Sequence, residues 1–151
     1  MRKEAIIDKH ELFERVGYKP HSDEQWQIHN ATNRFIIPCC GRRFGKSQAA
    51  AHEMTYNLFI PDTIWWIVGP TDKLGEKEFR VVYDDLKKLK IIDKCTTKNY
   101  NVNQGQMRIV TPFNSVLEVV SAEKQDALVG EGLDGAIMSE AAKHKMSTWQ
   151  M

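Results

Sequence analysis

The sequence predicts an α/β domain, with a mainly parallel sheet flanked by helices and one β-hairpin. Two observations support this fold class. Short apolar runs alternate with segments of helical periodicity, which is the pattern of βαβ units. The runs at 63–68 and 135–139 contain very few polar residues, as is typical of strands buried on both faces of a parallel sheet. In such sheets the ligand site lies at the carboxyl ends of the strands.

The composition is that of one globular domain with an ordinary core. The chain has 151 residues, of which 42% are hydrophobic, and this favours a packed domain over disorder. The net charge of +1 indicates no strong overall field, although a local basic patch can exist within a neutral total. Three cysteines, two of them adjacent, do not form a disulfide framework, and neither a signal peptide nor a membrane-spanning run is visible. We therefore expect an intracellular protein, and a piece of a longer one because the sequence stops inside a helical pattern.

The elements of the first part follow from periodicity and from capping residues. A short amphipathic helix is predicted at 8–16, ended by Gly17, and a second helix, capped by Ser22 or Asp23, is predicted to run to about Ala31. The apolar run at 34–39 is predicted to be the first buried strand of the sheet, and Cys39 and Cys40 at its end are expected to fill apolar space. A helix is expected from about 46 to 59.

The second part is predicted to hold a strand, a helix, a hairpin and a final strand. The strand covers 63–68, and a charged helix with one apolar stripe covers about 76–90. Two alternating runs within 107–120 form the hairpin, after a polar loop at 99–105. The final strand covers 135–139.

A glycine-rich segment between the first strand and the third helix is typical of a phosphate-binding loop. Backbone N–H groups and a helix N-terminus there point to one spot, which suits a triphosphate. Lys46 would reach the β- and γ-phosphates, and the Ser47 hydroxyl would bind Mg²⁺. The spacing departs from the common motif, because Cys40 stands where the first glycine is expected and Gly41 follows it. The residues expected to hold ATP are Gly41, Arg42, Arg43, Phe44, Gly45, Lys46, Ser47 and Gln48.

Glu140 follows the last predicted strand and is the candidate catalytic base. A phosphate-loop ATPase needs a carboxylate beside the γ-phosphate to orient the attacking water, and that group usually ends a strand beside the phosphate-loop strand. The alternative is a surface glutamate at the start of a helix. Most such enzymes carry an aspartate just before the glutamate, to hold Mg²⁺, but this chain has the neutral Ser139 there.

Two other sets of residues have both a functional and an ordinary interpretation. Arg42 or Arg43 would stabilise charge on the γ-phosphate as an arginine finger, or both are solvated loop cations. Gln25 has an amide that can donate to and accept from an adenine edge, or it is a helix-surface residue.

Taken together, these motifs resemble the large terminase subunit of tailed bacteriophages, the motor that packages DNA into the procapsid. The segments that carry the resemblance lie between Pro20 and His144. They are Pro20–His29, Arg34–Ser47 with the shifted glycine, Val68–Thr71, Val116–Glu123, Leu128–Gly130 and Ile137–Ala142.

The resemblance implies roles for individual residues. Gln25 would read adenine, Arg42 would be the arginine finger within the same subunit, and Glu140 would be the catalytic glutamate. Ser139 stands where the family usually has an aspartate, so Ser47 and Ser139 would be the two residues of the Mg²⁺ site. Val129 stands where some relatives carry an arginine offered to the neighbouring subunit, so such a finger would come from elsewhere, and Arg80 is one candidate.

The resemblance also implies partners and location. Residues 1–151 would be the front part of a phosphate-loop ATPase domain of the ASCE (RecA-like) kind, with the rest of that domain and a nuclease domain lying outside the sequence. Double-stranded DNA, the portal protein and the small terminase subunit would be partners of a ring of identical subunits, expected to be a pentamer, in the host cytoplasm and away from membranes. Two alternatives stay open: a DNA helicase or repair ATPase of the same fold, and a nucleotide-binding fragment without turnover.

Overall fold

A computed structural model describes residues 4–99, 105–123 and 132–144. The order of its elements is α/β with a hairpin, as predicted. The helices are α1 (Lys9–Val16), α2 (Asp23–Asn30), α3 (Lys46–Asn57) and α4 (Asp72–Lys88), with short 3-10 turns at Ile92–Lys94 and Ala141–Lys143. The strands are β1 (Ile64–Gly69), β2 (Thr96–Lys98), β3 (Arg108–Val110), β4 (Val116–Ser121) and β5 (Gly135–Met138).

The sheet contains all five strands in the order β2-β3-β4-β1-β5. The long strand β1 runs parallel to β4 on one side and to β5 on the other. The strands β2, β3 and β4 are joined by antiparallel pairing, so the predicted hairpin is confirmed. The carboxyl ends of β1, β4 and β5 therefore meet at one edge of the sheet.

The main core lies between the sheet and the helices α3 and α4. Its buried members come from both layers: Ala51, Met54, Leu58, Ile67, Phe79, Val82, Leu86, Met107, Ile109, Leu117 and Val119. The stripe predicted on α4 thus faces the sheet, although Tyr83 and Leu89 are only partly buried. A second cluster, around Leu12, Phe13 and Val16, attaches α1 to the end of α3.

The helix α1 shows why local sequence predicted the first elements well. Asp8 accepts hydrogen bonds from the backbone N–H groups of His10 and Glu11 at 2.9 and 3.1 Å, and Gly17 closes the helix in the left-handed region. These caps satisfy end groups that the helix itself leaves unpaired.

The prediction of a buried strand at 34–39 is wrong. This segment has no regular secondary structure and lies outside the sheet, and Phe35 and Ile37 are 76% and 80% exposed. Both edges of β1 are already taken by β4 and β5, and Pro38 has no N–H to give to a ladder. Cys39, expected to fill apolar space, is exposed as well.

Two further expectations about the sheet need correction. The strand at 135–139 was predicted to be buried beside the phosphate-loop strand, but β5 lies at the sheet edge, pairs with β1 and has Ala136 exposed. The short strand β2, whose three residues are all exposed, was not predicted because it has no apolar alternation. The helix α4 also begins four residues earlier than expected, at Asp72.

Candidate functional site

The segment 41–45 forms a tight loop that leads directly into α3, as the motif predicts. Gly45 precedes the helix with φ +85° and Arg43 has φ +63°, so two of the five residues adopt the left-handed region. The Lys46 ammonium folds back over the loop and donates to the carbonyl oxygens of Gly41 at 2.8 Å and Cys40 at 3.2 Å. The lysine charge is thereby held at the mouth of the loop, where a phosphate would be bound.

Gln25 attaches helix α2 to this loop. Its Nε2 donates to the Phe44 carbonyl at 2.5 Å, and its Oε1 accepts from the His21 N–H at 2.6 Å. The side chain is 1% exposed, so it is not the helix-surface glutamine of the alternative interpretation. An amide has two donor hydrogens and two acceptor lone pairs, so half of its capacity remains for another partner.

Two clefts meet beside the loop, at His21. One, of about 510 Å³, lies between the start of α2 and the loop, and its lining includes Gln25, Arg43 and Phe44. The other, of about 680 Å³, extends between α3 and α4, and Gln48 is part of its wall. Both volumes fall in the range of small-molecule sites.

Glu140 lies at the carboxyl end of β5 in a strained conformation. The ladder between β1 and β5 continues to Ser139, whose N–H donates to the Val68 carbonyl at 2.9 Å. The next residue, Glu140, turns out of the sheet with φ +50° and ψ +47°, a region that costs a non-glycine residue free energy and is common at functional sites. Its carboxylate is 49% exposed and lies 3.8 Å from the Lys143 ammonium.

The loop and Glu140 lie at the same edge of the sheet. The helix α4 starts at that edge, because it follows β1 after a short turn. The helix α3 runs alongside α4 in the same direction, since His52 bonds to Asp85 while Gln48, one turn earlier, lines a cleft with Val81. The loop at the start of α3 therefore faces the carboxyl ends of the strands, as the fold class predicts.

The other candidate residues that the structure describes lie mostly on the surface. Arg42, Arg43, Ser47 and Gln48 are exposed around the loop, and Phe44 is half-buried. Arg80 pairs with Glu76 on the surface of α4. The segment Leu128–Gly130, with Val129, lies outside the described residues.

Sequence reasoning missed the buried polar groups of α4. Asp85 is fully buried and accepts from His52 Nδ1 at 2.6 Å and from the Thr55 hydroxyl at 3.0 Å. Glu78, two turns earlier, is 3% exposed and bonds to Ser139. The signal was present, because Glu78, Val82 and Asp85 follow the i, i+4, i+7 spacing of one helix face.

Tyr18 and His52 line the cleft between α3 and α4. Tyr18 stacks on His52 with ring centroids 3.9 Å apart, and its hydroxyl lies 3.0 Å from His29 Nε2. Burial, together with the nearby Glu53 carboxylate, raises the pKa of Tyr18 to about 12. Tyr18 is thus a packed hydrogen-bonding residue of this wall.

No three His, Cys, Asp or Glu side chains in the part of the chain that the structure describes are grouped to hold a metal ion by themselves. No helix among 4–99, 105–123 and 132–144 is long and apolar enough to cross a membrane.

The fold and the loop together define the class of protein: an α/β phosphate-loop fold of the ASCE kind, with a sheet covered by helices and a glycine loop at its carboxyl edge. The chain is homologous to the large terminase subunits of bacteriophages, and its fold is that of their ATPase domain. No family model matches the sequence.

The relatives that show this come from Thermus phages. The large terminase subunits of Thermus phage G20c and Thermus virus P23-45 are each 32% identical to the chain over 153 residues. The match covers 91% of this chain and 31% of each relative, so the chain spans about a third of their length.

Two solved structures of a large terminase ATPase domain have a similar fold. The large terminase ATPase domain of Thermus phage P74-26 superposes with a TM-score of 0.77 at 29% identity, over 99% of this chain and 63% of that one. An arginine-to-alanine variant of the same domain gives 0.76 at 31% identity, over 97% and 62%.

Proposed function

We propose that this chain binds and hydrolyses ATP as the front part of a large terminase ATPase domain. The observation that carries the proposal is the loop at the start of α3, with the Lys46 ammonium held over its mouth by two loop carbonyls. When a triphosphate binds, the Lys46 ammonium would exchange those carbonyls for phosphate oxygens, which form stronger, charge-assisted hydrogen bonds with it. The base would enter the cleft beside Gln25, whose buried amide would have to turn toward the cleft to meet an adenine edge.

Glu140 is proposed as the residue that orients the attacking water. It ends a strand at the sheet edge that the loop faces, and its half-exposed carboxylate is open to solvent water. Arg42, exposed in the loop, is proposed to stabilise the charge that develops on that phosphate, which is the role of an arginine finger. Neither residue is buried, so both can rearrange when nucleotide binds.

The donors at this edge fit Mg²⁺. The ion prefers oxygen ligands, keeps several of its waters, and is usually held by one or two carboxylates together with substrate phosphates. The Ser47 and Ser139 hydroxyls and nearby carboxylates supply that set, without the all-protein cage that a histidine or cysteine site would need. When bound, the ion would neutralise charge on the phosphates.

The wider role is a proposal by homology. In the whole protein, hydrolysis would drive double-stranded DNA through a ring of subunits, expected to be a pentamer, at the procapsid portal in the host cytoplasm. The portal protein and the small terminase subunit would be partners. The similarity to large terminase subunits favours this role over that of a helicase or repair ATPase.

Calorimetry and a phosphate-release assay on the full chain test the proposal. Lys46→Ala removes charge-assisted bonds, each worth about 1.5–3 kcal/mol, so nucleotide affinity should fall at least about tenfold. Lys94→Ala is the matched control, because this exposed lysine follows the C-terminal end of α4 at the opposite edge of the sheet.

Glu140→Gln separates binding from turnover. It should keep nucleotide affinity while hydrolysis falls by about 10²–10⁴, the usual effect of losing a general base. Equal hydrolysis by the variant and the wild type would remove Glu140 from the mechanism. Binding without measurable hydrolysis in the wild type would favour the alternative of a nucleotide-binding fragment.

A further inference from the structure

A buried glutamate lies directly behind the candidate metal residue Ser139. The Ser139 hydroxyl donates to Glu78 Oε1 at 2.9 Å, and the two residues are 5% and 3% exposed. The second carboxylate oxygen, Oε2, is also buried and has no hydrogen-bond partner among the residues that the structure describes. The serine therefore fixes one oxygen and leaves the other free.

This arrangement is costly if it only ties α4 to β5. A buried carboxylate needs a cation or several hydrogen bonds to offset its desolvation. No lysine, arginine or histidine of the described segments forms an ion pair with Glu78, in contrast to Asp85 two turns later, which has His52. A neutral residue such as glutamine could make the same bond to Ser139 without the charge.

Glu78 lies at the level of the phosphate loop. The helices α3 and α4 run in the same direction, and His52 contacts Asp85 at 2.6 Å. Seven residues earlier on both helices, or about 10.5 Å along each axis, the same register brings Glu78 level with Gly45. The bond to Ser139 fixes Glu78 at the carboxyl end of β5, where Ser139 immediately precedes Glu140.

We infer that Glu78 supplies the carboxylate of the magnesium site, with Ser139 acting as its positioning residue. Phosphate-loop ATPases hold Mg²⁺ with the loop hydroxyl and with an acidic residue at the end of the neighbouring strand. Here the strand ends in a serine, and the acidic group comes from the adjacent helix to the same place. The unpartnered Oε2 would accept a hydrogen bond from a water of the ion bound with ATP. The inference rests on the proposed function.

The test measures how nucleotide affinity depends on Mg²⁺ in the full chain. A non-hydrolysable ATP analogue is titrated by calorimetry in EDTA and at increasing MgCl₂. Glu78→Gln keeps the volume and an oxygen that can accept from Ser139, but it removes the charge. The Mg²⁺ concentration that gives half of the maximal increase in nucleotide affinity should rise about 10–100-fold, which is the usual effect of changing a residue that hydrogen-bonds to the ligands of a metal. The nucleotide affinity in EDTA should stay within about twofold of wild type.

A matched control and a rescue sharpen the result. Glu76→Gln removes the same charge from the same helix, two residues away, and should leave the Mg²⁺ titration unchanged. Glu78→Gln combined with Ser139→Asp returns a carboxylate to this place and should restore most of the lost Mg²⁺ response. Equal shifts in the Glu76 and Glu78 variants would mean a general field effect and would overturn the assignment.

The remaining outcomes separate the inference from the proposed function. Unchanged Mg²⁺ dependence in Glu78→Gln, with only a lower melting temperature, overturns the inference and leaves ATP binding intact. A wild type that binds no nucleotide overturns both. If Glu78→Gln does not fold, Mn²⁺ with the analogue is added to wild-type chain carrying ¹³C-labelled glutamate. Broadening of the Glu78 carboxyl signal supports the inference, and a sharp signal overturns it.

Discussion

The two glycines of the phosphate loop allow a test of how the loop is held. A Cβ atom at Gly45 would lie 2.9 Å from Gln25 Nε2, and the residue has φ +85°. A Cβ at Gly41 would meet nothing within 4 Å. Gly45→Ala should therefore destabilise the chain, whereas Gly41→Ala should not.

Two effects contribute to the loss of stability expected for Gly45→Ala. The left-handed backbone costs a non-glycine residue about 1–2 kcal/mol. The new methyl also displaces the Gln25 amide from the Phe44 carbonyl, and leaving such buried groups unpaired costs about 1–3 kcal/mol. We expect Gly45→Ala to lower the free energy of unfolding by about 2–5 kcal/mol, and Gly41→Ala to stay within about 0.5 kcal/mol of wild type.

Urea denaturation followed by tryptophan fluorescence measures both variants, and a double-mutant cycle isolates the contact. In a Gln25→Ala background the methyl has space, so Gly45→Ala should then cost only the backbone part, about 1–2 kcal/mol. Equal losses for the two glycine variants, or a Gly45→Ala cost that is the same with and without Gln25, would refute the reasoning.

Two other predictions concern α4 and the turn after it. Asp85→Ala should lower the free energy of unfolding by about 3–5 kcal/mol, because it removes the buried carboxylate to which His52 and Thr55 bond. Urea denaturation measures this loss, with Asp84→Ala at the exposed neighbouring position as control. A loss below about 1 kcal/mol would contradict the prediction. Burial raises the pKa of the Cys95 thiol to about 11 from 9.0, so the folded state holds this proton more tightly and its contribution to stability should be lost as pH rises from about 9 through 11. Alkylation at pH 8 followed by mass spectrometry should label the exposed Cys39 well before Cys95, and equal labelling would show that the thiol is not protected.

Local signals predicted most of the fold. The stop of α1 at Gly17, the alternation of β3 and β4, and the apolar run of β1 each depend on neighbours in sequence, and each is confirmed. The segment 34–39 failed for a different reason. An apolar run indicates that a segment tends to be buried, but it does not specify which strand the segment will pair with. Here both edges of β1 are already paired, with β4 and with β5.

The candidate site divides in the same way. The loop residues could be found because their spacing is fixed by the turn that they form. Glu78 could not be assigned to the site from sequence, since it is 61 residues from Ser139 and only the packing of α4 against β5 brings them to 2.9 Å. Gln25 was found as a candidate, but its bond to the loop carbonyl of Phe44 depends on how α2 docks and had no sequence signal.

The exposed segment at 34–39 has a practical consequence for the purified chain. Phe35 and Ile37 present bare apolar surface to solvent, and the outer edge of β5 has no strand partner within the described segments. Exposed apolar side chains and an open sheet edge both promote association between copies. Solutions of this chain should therefore lose monomer as protein concentration rises, and a charged substitution at Ile37 should improve solubility without affecting the core.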